Sequence, residues 1–129
     1  MILADRYTTS NAYHQATKLK RCDWPGYFAW LEETEYEKLS IPRPGLVFYL
    51  DVPLDISRKL ISARYGGDES KRDIHEANFA YLTQCREAAL AAAMHFGWTV
   101  IDCTKDNKLR SIGEIHDSIR EHIRARITD

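Results

Sequence analysis

The chain has 129 residues, 44% of them apolar and 29% charged, with a net charge of −1. That is enough apolar material for one core and suits a single domain, while the near-neutral balance excludes a general attraction to nucleic acid or anionic membranes. No run approaches the ~18 apolar residues of a membrane span, and Cys22, Cys85 and Cys103 are too few and too scattered for a zinc ribbon or a disulfide framework, so the expectation is a soluble domain of the cytoplasm.

Met1-Ile2-Leu3-Ala4 is a short apolar run that ends at Asp5-Arg6. From about residue 9 to residue 21, Ala12, Ala16 and Leu19 recur at helical spacing, which predicts a half-exposed helix. Asp23-Trp24-Pro25 predicts the start of a second helix, with an acidic cap and an early proline. That helix should turn Phe28, Leu31 and Leu39 to one side and end before the stiff loop Ile41-Pro42-Arg43-Pro44-Gly45. Leu46-Val47-Phe48-Tyr49-Leu50 is apolar throughout, as a buried parallel strand requires. Asp51 and Pro53 open a helix expected to face Ile56, Leu60 and Ala63 inward. Residues 65–72, with Gly66 and Gly67 among charges, predict a surface loop. A long helix from about residue 73 to residue 96 is strongest over Ala88–Ala93, and Gly97 stops it. Trp98-Thr99-Val100-Ile101-Asp102 predicts another strand, and Ile112, Ile115, Ile119, Ile123 and Ile127 the buried stripe of a closing helix. Helices alternating with short apolar strands predict an α/β fold, a parallel sheet flanked by helices.

Ligands of such sheets bind beyond the carboxyl ends of the strands. An acid there can hold Mg²⁺ through water, and an adjacent arginine can grip a phosphate with its planar donors. Taken alone, Asp5-Arg6 reads equally as a helix cap beside a solvated arginine. Asn11 alone reads as a surface helix residue, and Lys71-Arg72 as a solvated pair. His75-Glu76-Ala77-Asn78-Phe79 is not a His-Glu-x-x-His metal motif, and Ser10 has no His and Asp partners at triad spacing.

The ordered set of motifs is more specific than any one of them. Asp5-Arg6-Tyr7, Ser10-Asn11 and Gln15, then Leu39 with Pro42-Arg43-Pro44-Gly45-Leu46, then Tyr49-Leu50-Asp51-Val52, Arg72-Asp73 with Glu76, and Gly97-Trp98 before Ile101-Asp102 together resemble the thymidylate kinase family. The resemblance implies a P-loop nucleoside-monophosphate-kinase-like fold that transfers phosphate from ATP to dTMP, with Mg²⁺. It implies that Asp5 organises the metal, through water, and that Arg6 holds the acceptor phosphate. Ser10 and Asn11 would lie beside the acceptor, with Asn11 on the thymine edge. Glu76 would lie near the sugar and Arg64 near the adenine of ATP. Residues 65–73 would be a lid, with Arg72, seconded by Lys71, neutralising charge on the transferred group.

Two departures qualify that expectation. His14 stands where relatives carry the tyrosine that lines the deoxyribose. The glycines Gly26, Gly45, Gly66, Gly67, Gly97 and Gly113 open no Gly-x-x-x-x-Gly-Lys-Ser/Thr loop, the element that grips ATP. The expectation is therefore an incomplete, N-terminally truncated kinase domain over residues 1–129 that carries the acceptor side and is inactive alone. It would leave strand edges unpaired and so either self-associate, as a homodimer or otherwise, misfold, or be a piece of a longer protein. The alternatives are a kinase for another nucleoside monophosphate and a non-catalytic protein that binds a nucleotide or a partner.

Overall fold

The computed structural model describes residues 2–64 and 72–127; at 61, 62, 64, 72–77 and 127 the description is of backbone alone. The short helix α1 (Ser10–Ala16) is followed by a 3₁₀ turn (Arg21–Asp23) that runs directly into α2 (Trp24–Glu32). Pro25 lies in the first turn of α2, where its missing N–H has no helical partner to lose. Asp23 precedes it but makes no side-chain cap bond, because it already has helical dihedrals at the end of the 3₁₀ turn.

Beyond Glu32 the helix widens into a π-helical segment, Glu33–Lys38. The extra residue in that turn changes which side chains face inward. Phe28 and Leu31 are buried as their spacing predicts, and Glu35, four residues further, follows them inward at 6% exposure. Leu39 bonds back five residues to the Thr34 carbonyl and is rotated off the apolar face, so it is 64% exposed where the periodicity placed it inside.

Two parallel strands, β1 (Phe48–Asp51) and β2 (Thr99–Asp102), pair with Phe48 opposite Thr99 and Asp51 opposite Asp102. Both therefore end their carboxyl edge on an aspartate. The connection between them contains α3 (Leu54–Arg64) and the 25-residue α4 (Arg72–Phe96). Gly97, at φ +69°, closes α4 with the Trp98 N–H donating to the Ala93 carbonyl at 2.9 Å, a left-handed stop that glycine adopts without a Cβ clash. A small antiparallel hairpin follows, β3 (Thr104–Lys105) and β4 (Lys108–Leu109), turned by Asp106 and Asn107, both with positive φ. The chain then enters α5 (Ile112–Ile127).

The core lies between α1, α2 and α4. Ala12 and Ala16 of α1 meet Ala88 and Ala92 of α4, all with no exposed surface, and Trp24, Phe28 and Leu31 fill the adjoining space. The Trp24 indole N–H donates to the Ala16 carbonyl at 2.9 Å, so its one polar atom is satisfied on burial. Trp30 stacks on Tyr27 at the helix surface.

Three predicted apolar stripes are less buried than their spacing implies. On α3, Ile56 is buried, whereas Leu60 and Ala63 are exposed. On α5, Ile115, Ile119 and Ile123 are half-buried, but Ile112, in the first turn, is 89% exposed; Ile127 lies outside the described side chains. Leu50 of β1 and Val100 of β2 are likewise exposed. Apolar spacing fixes a common face, but burial also needs another element over it. Ile2 and Leu3 form no strand and stand in solvent.

Candidate functional site

Asp5 and Arg6 lie in the exposed segment that leads into α1. Arg6 has φ +68°, in the left-handed region that a side chain with a Cβ rarely adopts. This conformation lets its guanidinium turn back on the helix, where Nε donates to Ser10 Oγ at 3.3 Å. The Tyr13 hydroxyl also donates to Ser10 Oγ, at 3.4 Å. With both lone pairs of that oxygen engaged, the Ser10 proton is left for another acceptor. The Tyr7 hydroxyl donates to the Pro42 carbonyl at 3.0 Å and ties this segment to the proline loop. Arg43 of that loop is occupied by Glu32 and Glu37, at 2.6 and 2.7 Å, and lies over the Tyr36 ring.

Asn11 is exposed, and its Nδ2 donates to Glu35 Oε1 at 2.9 Å. Its backbone carbonyl accepts from the Tyr27 hydroxyl at 3.0 Å. Burial, reinforced by the Glu35 charge, pushes the Tyr27 hydroxyl above its ordinary value, so it stays protonated as that donor.

His14 follows one turn later. Its Nδ1 is 3.1 Å from the Tyr81 hydroxyl and 3.9 Å from Cys85 Sγ, both on α4. Burial, and then the Arg6 charge, lower its affinity for a proton. Tyr13 and His14 rings are 4.4 Å apart, and Tyr49 of β1 approaches Tyr13 from the sheet. The Tyr49 hydroxyl is pushed up to about 12 by burial and then by Asp51.

At the sheet's carboxyl edge, Asp51 receives both Nε and NH2 of Arg86, at 2.7 and 2.8 Å. Asp102 beside it accepts from the Thr104 hydroxyl and N–H, each at 2.8 Å, and those bonds hold its carboxyl below the ordinary range.

Four of the residues singled out from sequence therefore share one corner: Arg6, Ser10, Asn11 and His14. Asp5 adjoins them and makes no hydrogen bond or ion pair among the described residues. No three His, Cys, Asp or Glu side chains gather as a metal cage among those residues. A single exposed carboxylate fits a cation that keeps its water shell, as Mg²⁺ commonly does. Lys71 lies outside the described residues. Arg64 ends α3, Arg72 begins α4 and Glu76 follows in α4, but their side chains lie outside the description.

Glu35 was missed from sequence, although Phe28, Leu31 and Glu35 at steps of three and four put a carboxylate on an apolar face. Arg86 was also missed; its pairing with Asp51 spans 35 residues and has no local signal.

The sequence is similar to thymidylate kinase from two strains of Mycobacterium tuberculosis, at 28% identity over 99 residues. The match covers 76% of this chain and 46% of each relative, so the chain spans about half the length of the curated relatives it matches. No family model matches the chain. No solved structure matches it. The mixed helix and strand content and the small parallel sheet are compatible with a kinase-like α/β fold. No described helix is long and apolar enough to cross a membrane.

Proposed function

We propose that this chain carries the acceptor side of a thymidylate kinase-like site and that the acceptor is dTMP. The observation that supports this most directly is the grouping of the Arg6 guanidinium, the Ser10 hydroxyl and the Asn11 amide within six residues, with Arg6 bonded to Ser10 at 3.3 Å. A planar cation and a hydroxyl suit a phosphate, and an amide suits the edge of a base.

In this reading Arg6 holds the acceptor phosphate, with Ser10 beside it, and Asn11 meets the thymine. His14 lies along the sugar, with Glu76 also toward it. Asp5 steadies Mg²⁺ through water, and ATP is the phosphoryl donor, with Arg64 near its adenine. The segment 65–73 is the lid, where Arg72 and Lys71 offset charge on the transferred group. Phosphoryl transfer depends on alignment and charge neutralisation more than on covalent help from the protein, and these residues are of the types that supply both. The similarity to named thymidylate kinases supports the same reading.

The sequence has no Gly-x-x-x-x-Gly-Lys-Ser/Thr loop, so the 129 residues are proposed to bind the acceptor without turning it over alone. We further propose a cytoplasmic protein that self-associates through surfaces such as exposed Leu50 and Val100.

Isothermal titration of the 129-residue chain with dTMP and with thymidine tests the core of this reading. The expected result is saturable dTMP binding that weakens at least tenfold on removing the phosphate or on Arg6→Ala, roughly what a charged hydrogen bond contributes. Equal affinity for both ligands would overturn it.

His14 favours a second reading, a kinase for another nucleoside monophosphate. Its Nδ1 is already engaged by Tyr81, and it replaces the tyrosine expected against the sugar. UMP binding as tight as dTMP binding would select that reading.

A further inference from the structure

We infer that Glu35 sets the base preference of the acceptor site, by fixing which end of the Asn11 amide faces the ligand. This rests on the acceptor-site reading above and names a positioning residue within it.

The acids around Glu35 are paired with cations. Glu32 and Glu37 take Arg43, and Glu33 takes Lys38 at 3.0 Å. Glu35 is the buried one, at 6% exposure, and among the described residues it has no cationic partner. Its side-chain hydrogen bond is the one from Asn11 Nδ2. A carboxylate in such a place is costly unless it is well satisfied, and the π-helical turn in which it sits is a distortion often retained at functional sites. The Thr34 hydroxyl, in the same turn, is buried without a partner among the described residues.

The chemistry of the pair removes any ambiguity in the amide. Asn11 turns its NH₂ toward Glu35, with Nδ2 donating to the Oε1 oxygen, which accepts. Its Oδ1 then faces the other way, and among the described residues no donor reaches it. The Tyr27 hydroxyl, donating to the Asn11 backbone carbonyl, fixes the backbone of the same residue.

The group offered to a ligand is thus a carbonyl oxygen with one remaining N–H alongside. Thymine and uracil present a ring N–H flanked by carbonyl oxygens, which complements it. Cytosine presents a bare ring nitrogen and an amino group, the opposite pattern, and would set two acceptors against each other. A site with fixed polar groups rejects a mismatched ligand because buried partners are left unpaired. If the amide could flip, both pyrimidines would be served equally.

Titration of the full chain with dTMP and dCMP, alongside Glu35→Gln, Asn11→Ala and the double variant, tests this. Glutamine has the same shape but can accept from Asn11 or donate to it, so either amide orientation is satisfied. The expected result is a dTMP:dCMP preference in the parent that falls about tenfold in Glu35→Gln, one hydrogen bond's worth. That preference is lost in Asn11→Ala, where adding Glu35→Gln changes nothing further. An unchanged preference in Glu35→Gln overturns the inference alone, as does an equal effect of Glu35→Gln with Asn11 absent. A folded parent chain that binds neither nucleotide overturns the acceptor-site reading and this inference with it. Side-chain amide NMR of the parent supplies a measurement that needs no variant. The Asn11 NH₂ signal should keep its carboxylate-bonded shift when dTMP binds, and its release on binding would refute the role of Glu35.

Discussion

Arg6→Gly and Arg6→Ala remove the same guanidinium and the same bond to Ser10, so any difference between the two variants belongs to the backbone. At φ +68° a residue with a Cβ is strained by roughly 1–2 kcal/mol, and glycine is not. Glycine also frees the unfolded chain, which offsets about 0.4–1 kcal/mol of that gain. The net expectation is that Arg6→Gly is more stable than Arg6→Ala by about 1 kcal/mol. With a urea slope of about 1.5 kcal/mol/M for a chain of this size, the unfolding midpoints should differ by about 0.7 M. Both variants should lose phosphate-dependent nucleotide binding to the same degree, because the charge is absent from each. Circular dichroism in urea reads the first effect and titration with dTMP the second. Coincident midpoints would show that the left-handed backbone at Arg6 is not strained, and retained binding in the glycine variant would show that the guanidinium is not what holds the phosphate.

The Asp51–Arg86 pair and His14 give two further tests. Arg86→Ala leaves a carboxylate whose side chain is 14% exposed without its two donors, which should cost about 2 kcal/mol, between an exposed and a fully buried pair; a thermal midpoint within a degree of the parent would refute it. His14 is held below its ordinary value of 6.5, first by burial and then by Arg6, so the unfolded chain binds the proton more readily than the folded one. Its contribution to stability is complete above pH 6.5 and is lost as the pH falls through the lowered folded value. His14→Gln should flatten the stability curve in that window, and parallel curves for the two chains would contradict the shift.

The order of the main helices and of the two parallel strands was legible because each has a local cause. Leu46–Leu50 is apolar without interruption, Pro25 starts α2, and Gly97 stops α4 at the position where φ turns positive. The proximity of Arg6 to Ser10 was legible too, since the two are four residues apart at the mouth of a helix. What escaped was non-local or irregular. Periodicity assumes 3.6 residues per turn, so it put Leu39 inside and could not foresee the wider turn that expels it. Spacing put Leu60 on the face of Ile56 without showing that nothing would cover it. The contacts of the candidate residues, Asn11 with Glu35 and His14 with Tyr81, join residues 24 and 67 apart, and no local pattern encodes them. The hairpin at Asp106-Asn107 did carry a signal, a pair of residues that tolerate positive φ, but the absence of glycine concealed it.

The alanine seam between α1 and α4 has a mechanical consequence. Methyl groups let the two backbones approach closely but give little resistance to twisting, so the setting of α1 falls to contacts beside the seam. Tyr81 reaches His14, and Glu87 pairs with Arg21, six positions further along the same rod. With 25 residues, α4 is roughly 37 Å long at 1.5 Å per residue, a lever whose tilt would swing Ser10, Asn11 and His14 together rather than one by one.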